Sequence, residues 1–309
     1  MERLKFYLRL FLLVGYLGLV ACGGGESPSK KEKFFILTTT GMIADITQNI
    51  CGDRIEVKAM MGPGVDPHLY KATREDLTLL RKADMVLYNG LHLEGKMGEV
   101  LEKLGRQKPV LALGEMIDKK YLKKIDNEAD AIDPHIWFDV QIWAEVVQVI
   151  QMTIAKQYPE EASFFQSNAE KYLAALNTLD QEVKAAMLEI PKPRRVLITA
   201  HDAFGYFGQA YEVDVKGLQG ISTVSEFGLK DVAELVDFIV ERRIKAVFVE
   251  SSIPKKSLEA VVKGCQEKGQ EVKIGGTLYS DALGASGTPE GTYIGMVRHN
   301  VATIRKSLK

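Results

Sequence analysis

The chain alternates short apolar runs with longer amphipathic stretches, and this alternation constrains its fold more than any other feature. Four runs rich in Val, Ile, Leu and Phe lie in the first half of the sequence and four in the second. Continuous apolar runs are typical of strands buried on both faces, and strands that alternate with helices form parallel sheets. The sequence therefore predicts an α/β protein with two lobes, each a four-stranded parallel sheet with flanking helices. The predicted strands are Phe35–Thr39, Glu56–Met60, Met85–Tyr88, Val110–Leu113, Arg195–Thr199, Asp214–Leu218, Ala246–Val249 and Glu271–Ile274.

One long helical pattern separates the two sets of strands. It begins at Pro159, which is followed by two glutamates, and its apolar residues recur at spacings of three and four from Phe165 to Ile190. Two prolines, at positions 191 and 193, end it. A helix of this length would be on the order of 48 Å long and would join the lobes stiffly. The predicted segments are an N-terminal lobe over 34–158, a linking helix over 159–190 and a C-terminal lobe over 191–309.

The first residues are typical of an export signal. A basic start precedes an apolar run of 12 residues, Leu10 to Ala21, which is too short to span a bilayer as a helix. The junction at Cys22 resembles a bacterial lipobox, although an ordinary signal peptide with an incidental cysteine would look similar. We expect residues 1–21 to be a lipoprotein signal peptide, Cys22 to be lipidated and to hold the protein to a bilayer, and residues 22–33 to form a flexible tether.

The charge balance argues against a nucleic-acid partner, and the cysteine content argues against a disulfide. Lys and Arg number 40 against 41 Asp and Glu, and no basic stripe is present, so a nucleic-acid partner is not expected. Besides Cys22, the cysteines are Cys51 and Cys265, in opposite halves of the chain. Their positions favour two buried free thiols over a disulfide.

The tripeptide Asp-Pro-His occurs twice, ending at His68 and at His135, in a chain with only five histidines. Proline fixes its own φ and keeps the preceding residue out of the helical region. Each imidazole is therefore held on a stiff, non-helical segment, and a metal ion is the expected ligand for such a pair.

Two further candidate ligands follow predicted strands of the second lobe. His201 follows the fifth strand and Asp281 the eighth, while His68 and His135 follow the second and fourth. Ligands of open α/β sheets bind beyond the carboxyl ends of the strands. Two residues from each lobe could therefore converge in one cleft, and three imidazoles with one carboxylate are enough for a tetrahedral zinc site.

The chain resembles the TroA-type substrate-binding lipoproteins of zinc and manganese ABC transporters. The resemblance covers the sequence from about residue 35 to its end and implies two lobes on a long helix, with a metal ion bound by His68, His135, His201 and Asp281. The segments that carry it are Thr39–Asp45, Gly62–His68, Asn89–Glu94, Asp133–Asp139, Thr199–Asp202, Val249–Ser252 and Gly276–Asp281. His92 and His299 have no matching role in this family.

The sequence gives two opposing indications about the metal. Members directed to manganese often have glutamate where this chain has His201, and imidazole favours zinc. Members dedicated to zinc often have a histidine-rich loop before the second ligand, and Lys119–Ile132 contains no histidine. One Zn²⁺ per chain is favoured, with Mn²⁺ as the alternative.

Three functions remain open at this point. The resemblance implies an exported, lipid-anchored, monomeric receptor that is not an enzyme and that delivers its ion to an ABC-transporter permease with a cytoplasmic ATPase. A zinc hydrolase with Asp281 as a base, or a surface adhesin, is the alternative. Asp66 and Asp133 are expected to support the turns or orient the imidazoles. Glu250 is expected either to do the same or to pack in the core, and the glycines between Gly275 and Gly291 to form a mobile loop near the site.

Overall fold

The computed structural model describes residues 33–125 and 131–309, and its strands form two parallel sheets of four. The predicted signal peptide, Cys22 and all of the tether except Lys33 lie outside the described residues. The first sheet has the order β2-β1-β3-β4 and the second the order β6-β5-β7-β8. The strands are β1 (Phe35–Thr38), β2 (Glu56–Ala59), β3 (Met85–Tyr88), β4 (Val110–Ala112), β5 (Val196–His201), β6 (Asp214–Gln219), β7 (Ala246–Glu250) and β8 (Lys273–Leu278).

The two sheets share one connectivity, and each places a crevice at the carboxyl ends of its central strands. The chain leaves β1 toward one edge of the first sheet and returns to β3 on the other side, and β5 and β7 repeat this in the second. Side chains that follow strands on either side of such a reversal face the same space. The predicted α/β class, with two four-stranded parallel sheets, is confirmed.

Flanking helices cover the sheets, as the alternation in the sequence predicts. The central strands β5 and β7 are buried along their whole length, whereas the edge strand β2 alternates between exposed and half-buried residues. The helices are α1 (Gly41–Cys51), α2 (Arg74–Lys82), α3 (Gly98–Gly105), α4 (Val140–Gln157), α5 (Ala162–Leu188), α6 (Gly205–Tyr211), α7 (Leu229–Glu241), α8 (Lys256–Glu267) and α9 (Tyr293–Leu308).

Helix α5 is the long connection between the lobes. A single 3-10 turn, Pro159–Glu161, precedes its 27 residues, so the regular helix is about 40 Å long and slightly shorter than predicted. Its Tyr172 hydroxyl donates to Asp45 on α1, and its Glu182 accepts two hydrogen bonds from Arg298 on α9. The joining of the lobes by one long helix is therefore confirmed, and the predicted lobe boundaries stay a prediction.

A continuous apolar core runs between the lobes. It includes Ile36 from the first sheet, Phe248 from the second and Trp137 between them, all fully buried. Trp137 also donates its indole N–H to the Ser280 carbonyl at 3.0 Å, and its backbone carbonyl accepts the Tyr293 hydroxyl at 2.7 Å. Residues Phe34–Lys309 consequently form one compact unit.

Strands β5 and β8 differ from their predicted extents. Strand β5 runs on to His201, and β8 begins at Lys273 and continues through Gly275 and Gly276 to Leu278. A β-carbon at Gly275 would lie 2.9 Å from Ser307 on α9, and one at Gly276 would lie 2.5 Å from Thr303 on the same helix. These two glycines therefore permit close packing of α9 on the strand, which corrects the predicted bounds of β8 and removes Gly275 and Gly276 from the expected loop. Gly284, Gly287 and Gly291 lie between β8 and α9, and the mobility of that segment stays a prediction.

Both described cysteines are buried free thiols, as expected. Burial raises the pKa of Cys51 to about 12 and also raises the pKa of Cys265. Among the helices of the described residues, none has the length and apolar character needed to cross a membrane.

Candidate metal centre

Four buried side chains meet where the carboxyl ends of the two sheets face each other. His68 lies in the loop after β2, and His135 precedes the 3-10 turn Ile136–Phe138 after β4. His201 is the last residue of β5, and Asp281 lies three residues beyond the end of β8 at Leu278. One ligand atom from each of the four lies within 4.8 Å of the others. The structure thus brings together all four predicted ligands, two from each lobe.

The donor atoms are the Nε2 atoms of the histidines and the carboxylate of Asp281. The Nε2 atoms of His68 and His135 are 3.3 Å apart, and His201 Nε2 lies 3.2 Å from Asp281 Oδ2. His68 and His135 each place Nε2 3.7 Å from an Asp281 oxygen. Donors at the corners of a tetrahedron around zinc, with bonds of about 2.0–2.1 Å, would be about 3.3 Å apart. The observed separations therefore match the size of a four-coordinate metal site.

The two copies of Asp-Pro-His adopt the same local geometry. In each, the aspartate Oδ1 accepts the backbone N–H of the histidine two residues later, at 2.8 Å for Asp66 and His68 and 3.0 Å for Asp133 and His135. The intervening proline has no N–H and cannot compete for the carboxylate. This contact explains why the tripeptide occurs as a unit, because it fixes the backbone that carries each imidazole.

Carboxylates behind two of the imidazoles set their orientation. Asp133 Oδ1 lies 2.8 Å from His135 Nδ1, and Glu250 Oε2 lies 2.6 Å from His201 Nδ1. Glu250 Oε1 also accepts the backbone N–H of His201 at 2.9 Å. An Nδ1–H that donates to a carboxylate leaves the Nε2 lone pair free for a metal ion. Of the two roles that the sequence left open for Glu250, the geometry favours orientation of His201.

Burial and charge act in different directions on the titrating groups. Burial lowers the pKa of His68 to about 3, against the opposing charge of Asp281. Burial also favours the neutral form of His201, but the carboxylates of Glu250 and Asp281 outweigh it and raise the pKa of this imidazole well above its usual value. Although burial favours a neutral Asp281, the facing histidines hold its pKa below the usual range. The site therefore keeps an ionised carboxylate in a water-excluded position.

Both oxygens of Asp281 lack a hydrogen-bond partner among the described residues, although the side chain is buried. A buried carboxylate without hydrogen-bond donors is costly, and buried charges are normally paired or coordinate metals. Three Nε2 atoms surround this carboxylate and none of them is placed to satisfy it as a hydrogen-bond donor. A divalent cation between them would neutralise the charge and use all four donors.

A buried glutamate that the sequence analysis did not single out organises the first-lobe half of the site. Glu94 accepts hydrogen bonds from the Thr39 hydroxyl at 2.6 Å and from the backbone N–H groups of Asn89 and Gly90. The Asn89 side chain in turn donates to the carbonyl of Pro134, the residue before His135, at 3.0 Å. The sequence contained one signal for this role of Glu94, because Asn89 and Glu94 lie in a segment that carries the family resemblance. His92 and His299 lie outside the cluster of four.

Sequence and structure comparisons identify the family. The chain matches, over residues 36–307, the family described as "Zinc-uptake complex component A periplasmic" (ZnuA). The chain belongs to this family. Its relatives include the manganese-binding lipoprotein MntA of Bacillus subtilis, 50% identical over 96% of this chain and 97% of that protein. The zinc-binding protein TroA of Treponema pallidum is 46% identical over 96% of both chains.

The structural comparison agrees with the sequence. The solved structure of the periplasmic zinc-binding protein TroA from Treponema pallidum aligns with a TM-score of 0.87 and 47% sequence identity. The alignment covers 90% of this chain and 99% of that one. The resemblance inferred from the sequence motifs is therefore confirmed at the level of family and fold.

Proposed function

We propose that this protein is an extracytoplasmic substrate-binding protein that captures one divalent metal ion and delivers it to an ABC-transporter permease for uptake. The observation that carries the proposal is the buried group of His68, His135, His201 and Asp281, whose donor atoms lie within 4.8 Å of one another. Family membership supports the same role, because the relatives include a zinc-binding protein, a manganese-binding lipoprotein and a manganese ABC transporter substrate-binding lipoprotein.

The geometry of the four donors fits metal transport better than zinc-dependent hydrolysis. A catalytic zinc site keeps one position open for water, next to three protein ligands. Here Asp281 Oδ2 lies 3.2 Å from His201 Nε2, which is the spacing expected between two ligands of one ion. We therefore assign Asp281 as a ligand and not as a general base. X-ray absorption of the zinc-loaded protein should show three nitrogen donors and a carboxylate oxygen, and a zinc-bound water would contradict this.

Zinc is the ion that the donor set favours in a purified protein. Imidazole is a borderline ligand, and divalent affinity rises from manganese toward copper and zinc at most nitrogen and oxygen sites. The relatives named for zinc and for manganese are almost equally similar to this chain, so similarity to them does not decide which ion it transports. Competitive titration should give zinc an affinity at least about tenfold above that of manganese.

The ligand assignment is tested by removing one donor from each lobe. We expect His68→Ala and His201→Ala each to weaken zinc binding more than about a hundredfold, because loss of even a supporting group costs about 10–100-fold. Zinc affinity is measured by competition with a fluorescent chelator, and circular dichroism checks that the fold survives. His92→Asn is a suitable control, since His92 is exposed and has φ +64, which asparagine tolerates. Unchanged affinity in both alanine variants would show that the site is misassigned.

Anchoring, partner and assembly complete the proposal. We propose that Cys22 is lipidated and anchors the protein at the outer face of a bacterial membrane. We also propose that the chain acts as a monomer that docks on a permease with its cytoplasmic ATPase. A Cys22→Ser variant should lose label from a radioactive fatty acid and leave the membrane fraction while its zinc affinity stays unchanged. Retention of the label would overturn the anchor assignment and leave the metal site untouched.

A further inference from the structure

One hydrogen bond joins the two halves of the metal centre without passing through any of the four ligands. Asp66 Oδ1 accepts the backbone N–H of His68 at 2.8 Å. The other oxygen of the same carboxylate, Oδ2, accepts the hydroxyl of Thr223 at 2.6 Å. Asp66 belongs to the first lobe and Thr223 to the second. The loop that presents His68 is therefore tied directly to the opposite side of the cleft.

Thr223 is the inward-pointing residue of its loop. The loop lies between β6 and α7, and Thr223 is its only buried residue between positions 220 and 228, all of which are described. Its neighbour Val224 is 53% exposed and Phe227 is 37% exposed. A threonine turned inward among exposed apolar side chains is the reverse of the usual arrangement. A specific partner for the hydroxyl explains it, and that partner is Asp66.

The base of this loop is attached to the strand that ends in His201. Gln219, the last residue of β6, pairs in register with His201 of β5, and its carbonyl accepts the backbone N–H of Asp202 at 3.1 Å. The Gln219 side chain donates to the carbonyl of Thr223 at 2.7 Å and to that of Ser225, which holds the loop in shape. Hydrogen bonds thus connect Asp202, the residue after His201, through Gln219, Thr223 and Asp66 to the backbone of His68.

The first-lobe loop meets the second lobe at another point close by. Gly64, two residues before Asp66, has φ +71, and a β-carbon there would lie 3.5 Å from the carbonyl oxygen of Ser251 beyond β7. The backbone of this loop therefore rests near the second lobe, so the Asp66–Thr223 hydrogen bond is not an isolated long-range contact. Breaking it would remove a direct tie between the His68 loop and the second lobe.

We propose that Asp66 and Thr223 form a clasp that slows metal release by holding the His68 loop against the second lobe. The inference rests on the proposed metal-carrying function and adds to it two positioning residues that are not ligands. The clasp acts on the opening of the cleft, whereas the four ligands determine which ion is bound and how many. Its loss should accelerate release and leave one ion per chain.

The test compares two substitutions at one position. Thr223→Val removes the hydroxyl and keeps the β-branched shape, whereas Thr223→Ser keeps the hydroxyl and loses a methyl group. We expect zinc release from the loaded protein to be about tenfold faster in Thr223→Val than in wild type, and Thr223→Ser to stay within about twofold, because a hydrogen bond to a charged group is among the stronger ones. Release is followed by stopped flow after mixing zinc-loaded protein with excess chelator.

Controls separate the clasp from general effects of the substitution. Thr178→Val removes an exposed hydroxyl on α5 that bonds only within its own helix, and its release rate should equal that of wild type. Hydrogen exchange of the zinc-loaded Thr223→Val protein should be faster at residues 220–228 and at the His68 loop, which reports opening even where stability falls. Equal release rates for Thr223→Val and wild type, or equal acceleration by valine and serine, would overturn the clasp. Failure of wild type to bind one zinc would instead refute the proposed function.

Discussion

At the scale of single residues, the metal affinity of two imidazoles depends on the carboxylates that hold them in place. His201 is held at two points by one carboxylate, because Glu250 Oε1 accepts its backbone N–H and Glu250 Oε2 lies 2.6 Å from its Nδ1. His135 is held in the same way by Asp133, which contributes a single oxygen to both contacts. The identity of these acidic residues therefore affects the metal without their touching it.

Glu250→Gln tests this support. Glutamine offers one acceptor oxygen where the site uses two, so either the backbone contact or the Nδ1–H contact of His201 is lost. We expect zinc affinity to fall about 10–100-fold while the number of ions bound stays at one per chain. Competitive titration measures the change, with the exposed Glu267→Gln as control. Wild-type affinity in Glu250→Gln would show that this carboxylate only packs in the core.

The raised pKa of His201 predicts that zinc binding is coupled to proton release. Because Glu250 and Asp281 raise this pKa, the metal-free imidazole holds its proton at neutral pH, and an entering ion must displace it. The proton binds only the metal-free state, so acid favours release and zinc affinity should fall about tenfold per pH unit below the raised pKa. Calorimetry in buffers of different ionisation enthalpy should find about one proton released near neutral pH. No proton release would contradict the assignment.

At the scale of elements, the carboxyl ends of strands are the structural basis of the site. Glu94 joins the end of β1, through Thr39, to the end of β3, through Asn89 and Gly90. Burial raises the pKa of Glu94, and these three donors oppose that change. The first-lobe half of the cleft is therefore built on a buried acid whose hydrogen-bonding capacity is largely used.

Replacement of Glu94 by alanine should destabilise the fold more than it changes the metal ligands. It would leave the Thr39 hydroxyl and two backbone N–H groups without their acceptor in a buried position. We expect the free energy of unfolding to fall by about 3 kcal/mol or more, since each unsatisfied buried donor costs about 1–3 kcal/mol. Denaturant titration of the metal-free protein measures this. Glu102→Ala, at an exposed position on α3, should change stability by less than about 0.5 kcal/mol.

Elements with a strong periodic pattern could be predicted from the sequence, and elements defined by packing could not. The apolar runs of β3 and β7 and the spacing in α5 are sufficient to locate those elements. The predicted β8 ended too early, at Ile274, because glycines such as Gly275 and Gly276 disfavour strands in isolation. In the structure they lie within the strand and allow α9 to approach it. The four residues that meet in the cleft could be named from motifs and their positions after strands. Thr223 could not, because 157 residues separate it from Asp66 and no local pattern links them.

At the scale of the whole molecule, one carboxylate connects the lobes and the helix that joins them. Asp45 on α1 accepts the Tyr172 hydroxyl of α5 at 2.8 Å and the backbone N–H of Tyr293 on α9 at 3.2 Å. Burial raises the pKa of Asp45, and these hydrogen bonds oppose that change. Together with the shared core, this contact favours local loop movements over a wide opening between lobes.

Graded substitutions measure the strength of this connection. Tyr172→Phe removes one of the two hydrogen bonds and should lower the free energy of unfolding by about 1 kcal/mol. Asp45→Ala removes both and leaves a buried hydroxyl and N–H without an acceptor, so we expect a loss of about 2–4 kcal/mol. Both are measured by denaturant unfolding with a single transition. Two separate transitions in wild type would show that the lobes unfold independently and that Asp45 does not couple them.

The burial of the two described thiols has a practical consequence for a protein that carries a thiophilic ion. Thiolate is a strong ligand for zinc, and an accessible cysteine would act as a second sink for the cargo. Cys51 is fully buried with a pKa raised to about 12, and Cys265 is buried as well, so within residues 33–125 and 131–309 neither competes with the cleft. Neither of these two thiols therefore adds a second metal site to the elemental analysis of the purified protein.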